Sequence, residues 1–144
     1  MDGTGYGLDD KIWGGEIFKF KIKNEKLKII ERIGHLENQI MIGNDLAVRE
    51  PARMLISILS KVKNQKSKIK NANQKSKINI INNQKNFIYH FVKKYYSQNE
   101  FNLLYNQLQQ NFNCLETSSV ARILDAAAVL LGLADNQRRF KHQA

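Results

Sequence analysis

The residues best suited to chemistry stand near the two ends of the sequence. Asp2-Gly3-Thr4-Gly5-Tyr6-Gly7 sets glycines at alternate positions. That spacing lets backbone N–H groups converge on a phosphate or acyl oxygen, with Thr4 adding a hydroxyl and Asp2 able to bind a metal. An ordinary glycine-rich turn has the same composition, so the string alone leaves both readings open. It is not a Walker loop, because no Gly-Lys-Ser/Thr follows. Thr117, Ser118 and Ser119 precede a helix-periodic stretch, where their hydroxyls could accept from the orphan N–H groups of a first turn. Cys114 could be imagined as a nucleophile, but a small buried apolar residue is the more ordinary role. His35, His90 and His142 are isolated and read as surface or packed histidines.

The elements that must position these groups follow from periodicity. Residues 2–10 read as a loop. After Gly15, the alternation around Ile17, Phe18, Phe20 and Ile22 suggests a strand with one buried face. Asn24-Glu25 is a turn, and Leu27, Ile29, Ile30 and Ile33 suggest the return strand of a hairpin. Pro51, the only proline, suits a first helical turn. Behind it Met54, Leu55, Ile58, Leu59 and Val62 predict a helix from about Glu50 to Val62. Further helices are predicted over about 84–97 and 99–112. The clearest follows the serines, with Val120, Ile123, Leu124, Ala127, Leu130 and Leu131 as its stripe and Gly132 able to end it. Ala126, Ala127 and Ala128 would let another backbone approach closely.

Composition narrows the classes. At 144 residues the chain suits one domain, and 42% apolar residues supply a modest core. A single cysteine excludes an internal disulfide or a multi-cysteine metal site. The longest nearly apolar run, Ala126 to Ala134, falls well short of the roughly 20 residues that span a bilayer. No secretory signal opens the sequence, so a soluble, cytoplasmic setting is the expectation.

The net charge of +10 is concentrated. No acidic residue lies between Glu50 and Glu100, and residues 61–94 hold ten lysines. Without those ten, 13 basic residues balance 13 acidic ones. Within this segment Asn-Gln-Lys-Ser-Lys-Ile occurs at 64–69 and 73–78. So little apolar surface poorly offsets an ordering entropy of roughly 1–2 kcal/mol per residue. Residues of about 63–83 therefore read as a low-complexity, poorly ordered insertion. A lysine arm on RNA or DNA phosphates is the alternative. The absence of arginine and aromatic side chains from the lysine stretch favours the insertion and makes a nucleic-acid partner the lesser reading.

Four strings in order resemble one family: Asp-Gly-Thr-Gly-Tyr-Gly, Ile-Trp-Gly-Gly-Glu at 12–16, Arg-Glu-Pro-Ala-Arg-Met at 49–54, and Thr-Ser-Ser-Val-Ala-Arg-Ile-Leu-Asp-Ala at 117–126. The family is the hydrogenase-maturation carbamoyltransferases, HypF, in their C-terminal catalytic module, which is related to the ATPases that make threonylcarbamoyladenosine on tRNA. The resemblance implies an α/β chain (an α+β fragment) forming part of an actin/Hsp70-like ATPase lobe, with an N-terminal β-hairpin followed by about four helices. It makes residues 1–144 a partial catalytic domain carrying the insertion at about 63–83.

It also implies a reaction. Carbamoyl phosphate and ATP give carbamoyl-adenylate, and the carbamoyl group passes to the C-terminal cysteine of a HypE partner, towards a cyanide ligand of the nickel-iron centre. Asp2 would then ligate a divalent metal, zinc or iron. Gly3, Thr4, Gly5, Tyr6 and Gly7 would lie against the adenylate. Ser118 and Ser119 fall where the related tRNA enzymes hold the ribose, with Arg122 in the same string. Arg49, Glu50 and Arg53 fall on the Arg-Glu-Pro motif near the cleft. No catalytic side chain is singled out. An acceptor thiolate arriving from a partner removes the need for an internal nucleophile. The family's upstream histidine motif and downstream glycine-rich nucleotide loop have no counterpart in these residues, so the sequence reads as a truncated piece. On its own it is expected to lack metal affinity and carbamoyl transfer, and to need the missing remainder of the enzyme. The tRNA-modifying chemistry is a further alternative, which the Asp-Gly-Thr-Gly-Tyr-Gly and Ile-Trp-Gly-Gly-Glu strings disfavour.

Overall fold

Helix α2 (Ala52–Lys66) organises the chain because its first turns are buried almost all round. Ala52, Met54, Leu55, Ile56 and Ser57 are each at most 2% exposed, and so occupy every side of its first turns. Around it pack β3 (Gln39–Ile42), α3 (Gln74–Val92), α4 (Gln98–Gln109) and α5 (Val120–Leu130). The computed structural model describes residues 5–23, 26–66 and 74–136. The fold is mixed α/β, with an N-terminal hairpin and, among the described residues, five helices rather than about four.

The hairpin comprises β1 (Glu16–Lys23) and β2 (Lys26–His35), antiparallel as predicted; the Asn24-Glu25 turn lies outside the described residues. The predicted buried face of β1 is not found: Ile17, Phe20 and Ile22 are exposed and Phe18 is half-buried, because the described contacts of β1 are to β2 and not to the core. Two register shifts interrupt it, between Ile17 and Phe18 and between Lys19 and Phe20. A second two-stranded sheet pairs β3 with β4 (Cys114–Thr117), Gln39 opposite Thr117 and Ile42 opposite Cys114. Neither strand follows from local pattern: each is four residues long and its partner lies some 75 positions away. The buried Ser57 hydroxyl accepts from the Ile40 N–H at 3.1 Å, tying β3 to α2.

The helices depart from expectation in informative ways. A short α1 (Leu46–Arg49) precedes Pro51. α3 begins at Gln74, so the segment read as an irregular insertion is helical over 74–83, while 67–73 lie outside the described residues. Lysine and glutamine are good helix formers. The polar Gln84, which precedes Ile88 and Val92 on the buried side, masked the stripe. It is 5% exposed and donates to the Ser60 carbonyl at 2.8 Å. α4 begins with a capping box: the Ser97 hydroxyl accepts from the Glu100 N–H, and Glu100 accepts from the Ser97 N–H. The α5 stripe is not the predicted one: Ala126 and Val129 are buried, the small Ala126 letting α5 approach α2, whereas Val120, Leu124, Leu130 and Leu131 are exposed. α5 does end as predicted at Gly132, whose φ is +73°. The Gly132 N–H reaches Val129 and the Leu133 N–H reaches Ala128, the paired bonds of a Schellman turn.

Candidate functional site

The opening loop folds back on itself before it meets anything else. Tyr6 bridges to Ile12, the Gly7 N–H donates to the Lys11 carbonyl at 2.8 Å, and the Trp13 N–H donates to the Gly5 carbonyl at 3.3 Å. The Trp13 ring lies across Gly7 so closely that a Cβ there would fall 2.0 Å from Cε2. The Gly7 N–H thus closes the loop itself, whereas Gly5 has open space around it and Tyr6 is 66% exposed. Asp2, Gly3 and Thr4 lie outside the described residues.

This loop is seated on the serine turn. Ile12 pairs with Thr117 in parallel: its N–H donates to the Glu116 carbonyl at 2.9 Å, and its carbonyl accepts from the Ser118 N–H at 3.0 Å. The Thr117 hydroxyl donates to the same carbonyl at 3.0 Å. Gly15 passes so close that a Cβ would meet the Ser118 carbonyl at 2.3 Å. Ser119 does cap α5, but its hydroxyl does not accept from the first turn as predicted; instead the Thr117 hydroxyl accepts from the Ser119 N–H at 3.0 Å. Ser118 and Ser119 are 0% and 1% exposed, so both hydroxyls face protein.

Glu16 gathers the junction. One carboxylate oxygen accepts from the Gly14 and Gly15 N–H groups at 2.5 and 2.8 Å. The other accepts from Arg32 at 3.0 Å and from the Ser118 hydroxyl. Burial of Glu16 opposes ionisation, but the donors Ser118, Gly14, Arg32 and Gly15 outweigh it and hold the carboxyl below its ordinary range. Arg32 also reaches Asp9 at 3.0 Å and lies 4.3 Å over the Trp13 ring, whose N–H donates to Asp9 at 2.7 Å. Beside them Lys11 pairs with Glu116 at 2.6 Å, and that hydrogen bond, against a smaller cost of burial, lowers the Glu116 carboxyl. Neither Glu16 nor Arg32 was singled out from sequence. Glu16 closes the Ile-Trp-Gly-Gly-Glu string, but its partners become visible only through the hairpin register.

The Arg-Glu-Pro motif builds a separate network. Glu50, 8% exposed, accepts from Arg53 at 2.8 Å and from the Tyr96 hydroxyl at 3.0 Å. Asn136 donates to Tyr96 at 3.1 Å and accepts from the Ala52 N–H at 3.1 Å. Burial pushes the Tyr96 hydroxyl far up, so it stays a donor. Arg53 lies against Gly43, just past Ile42, at the end of the β3–β4 sheet opposite to Thr117 and Ser118. Arg53 and Tyr96 line a cavity of about 200 Å³ with Glu100, Leu103 and Leu104. Arg122 pairs with Asp125 at 3.1 Å beside another of about 200 Å³, and Arg49 is exposed at the end of α1. The structure therefore brings the glycine loop to the serines but holds Glu50 and Arg53 in a network of their own.

Among the described residues, no three His, Cys, Asp or Glu side chains gather as metal ligands, and no helix is long and apolar enough to cross a membrane. Cys114 is half-buried, its S–H reaches the Phe112 carbonyl at 3.3 Å, and burial pushes the thiol up, as suits a structural cysteine.

Comparison with known proteins covers the whole sequence. A family model described as the second subdomain of the carbamoyltransferase, Kae1-like domain matches residues 1–144. The "Probable carbamoyltransferase HypF" of Methanocaldococcus jannaschii is 39% identical over 135 residues, 92% of this chain. Carbamoyltransferase HypF of Synechocystis is 32% identical over 99% of the chain. The chain spans 14% and 17% of the lengths of these two relatives. Among solved structures, full-length HypF in a phosphate- and nucleotide-bound form superposes with a TM-score of 0.61 at 26% identity, over 97% of this chain and 18% of that one. HypF of T. kodakarensis gives 0.59 at 31% identity, over 98% and 16%.

Proposed function

Since the chain belongs to the HypF carbamoyltransferase family, matching the second subdomain of its Kae1-like domain, we propose that it forms one wall of a pocket in which a carbamoyl group is activated and handed on. Carbamoyl phosphate and ATP are the substrates: water releases phosphate from carbamoyl phosphate to leave carbamate, and a carbamate oxygen attacks the α-phosphorus of ATP, forming carbamoyl-adenylate and expelling pyrophosphate. Attack by the thiolate of a HypE-type partner's C-terminal cysteine on the carbamoyl carbon then expels AMP. The product serves hydrogenase maturation.

The observation that carries this reading is the seating of the opening glycine loop on the β4–α5 turn through Ile12, Thr117 and Ser118. Two segments more than 100 residues apart meet at a junction whose backbone donors, hydroxyls and arginine are engaged within the protein, around Ile12, Glu16 and Asp9. They fix the loop beforehand, so it need not reorganise as the reaction proceeds. Among the described residues of the glycine string, the exposed Gly5–Tyr6 stretch is open to a ligand. Ser118 and Ser119, being buried, act by holding that loop in register.

The test is carbamoyl-phosphate-dependent exchange of pyrophosphate into ATP by the carbamoyltransferase polypeptide that contains this segment. Ser118→Ala is expected to lower exchange by about tenfold, the order of effect that a loop misplaced by a fraction of an ångström produces. Exchange that ignores both carbamoyl phosphate and the Ser118 substitution would remove the proposal.

A further inference from the structure

Arg32 stands where a regular hairpin would put Ile33. Counting back from Glu16 opposite His35 and Ile17 opposite Gly34, the next partner of Phe18 should be Ile33; the register instead pairs Phe18 with Arg32. Side chains alternate along a strand, so this one-residue slip transfers Arg32 to the face shared by Glu16 and Phe18 and leaves Ile33, 58% exposed, outside the pairing. On that face the guanidinium meets three groups at once: Glu16 at 3.0 Å, Asp9 at 3.0 Å and the Trp13 ring at 4.3 Å. The Glu16 side chain is only 4% exposed and that of Arg32 18%, so water screens this pair weakly. Glu16 in turn holds the Ser118 hydroxyl and the Gly14 and Gly15 amides, and Asp9 holds the Trp13 N–H, while Trp13 covers Gly7.

We propose that Arg32, delivered by this bulge, is a positioning residue that clamps the opening loop to the serine turn by binding Glu16, Asp9 and Trp13 together. It touches no reacting atom. Its effect on chemistry rests on the carbamoyl-transfer reading above, because the loop it fixes is the one that reading places against the ligand. The planar fork supplies two donors to two different carboxylates while its face stacks on the indole. Lysine, with one compact ammonium, can serve only part of that set.

Trp13 is the only tryptophan of the 144-residue chain and sits inside the clamp, so its emission reports loop seating directly. Arg32→Met is expected to move Trp13 emission to longer wavelength and raise its quenching by acrylamide. Helical circular dichroism should be unchanged, since α2 to α5 pack on one another and on β3. Arg32→Lys should fall between Met and the native chain, and Lys28→Met, at an exposed site further along β2, should match the native chain. In the exchange assay on the intact carbamoyltransferase, Arg32→Met should lower kcat by about tenfold, with KM for ATP nearly constant and part of the loss recovered by lysine. Native-like Trp13 emission in Arg32→Met overturns the clamp, as does a displaced Trp13 with undiminished kcat. If the native enzyme shows no exchange, the functional reading fails, while the fluorescence comparison still decides the clamp by itself.

Discussion

Gly7 and Gly15 owe their identities to different neighbours. At Gly7 a methyl group would strike the Trp13 ring; at Gly15 it would strike the Ser118 carbonyl, 2.3 Å away. A side chain can swing aside more readily than backbone held in a ladder. Gly15→Ala is therefore expected to be the more damaging change, by about 1–3 kcal/mol of stability in urea unfolding, the usual cost of overpacking. Gly7→Ala should act first on Trp13 emission. Glu16 makes a pH prediction with a definite sign. Its folded carboxyl lies below its ordinary value of 4.5, so its contribution is complete above that value and is lost as pH falls through the lowered folded value. Acid titration of Trp13 emission should show the loop releasing in that window. Burial opposes ionisation of Asp9, but its bonds from Trp13, Lys11 and Arg32 lower it as well, so Glu16→Gln should shrink the step and Glu16→Gln combined with Asp9→Asn should abolish it. The sequence exposed the glycines and serines as candidates because their types are unusual in their settings. Glu16 and Arg32 stayed hidden because sixteen residues and a bulge separate them.

Elements were legible where their period was local and uninterrupted. The hairpin, the helix behind Pro51 and the helix after the serines each carry their own stripe or alternation and are legible as elements, but in the hairpin and in α5 that pattern misplaced the buried face: Ile17, Phe20, Leu124 and Leu131 are exposed, and Ala126 and Val129 are buried. β3 and β4 carry none: four-residue strands are too short for a period, and they pair only because α2 and the opening segment bring them together. α4 offers a quantitative check on what secures an element end. Ser97 and Glu100 exchange both capping bonds, with the Ser97 N–H to Glu100 at 2.9 Å. Ser97→Ala should cost about 1 kcal/mol in thermal or urea unfolding, and Ser97→Asp should restore most of it. The β1–β2 hairpin illustrates the opposite case. An isolated two-stranded ribbon is marginal in water, and this one is held at its Glu16–His35 end by the Arg32 contacts. Amide exchange should accordingly be slowest around Glu16 and Phe18 and faster towards Lys23.

At the scale of the whole molecule, the charge is distributed so that one part can meet polyanions without belonging to the candidate site. Eight of the ten lysines of residues 61–94 fall on or between α2 and α3 in the sequence and Lys93 and Lys94 just past α3, whereas the loop, the serine turn and the Glu16 network set Asp9, Glu16 and Glu116 against Lys11 and Arg32. Where these helices are described, Lys85 lies 5.3 Å from the Tyr105 ring and Lys94 lies 3.7 Å from Asp135, so even part of this basic set is engaged within the fold. A segment with ten lysines and no acidic residue of its own will still attract RNA or DNA through counterion release, which needs no built site. Such binding has a signature: log affinity falls linearly with log salt, by about 0.7–0.9 per phosphate neutralised, and is indifferent to sequence. Filter binding of mixed RNA between 50 and 200 mM salt should therefore lose affinity steeply, and Lys68, Lys70, Lys75 and Lys77 changed together to Gln should flatten the slope. The same fourfold change should leave carbamoyl-phosphate-dependent exchange at the native rate. A sequence-selective complex that survives high salt would instead mean that α2 and α3 recognise a nucleic acid in their own right. Loss of exchange in the fourfold variant would mean that the basic helices and the glycine loop serve one site.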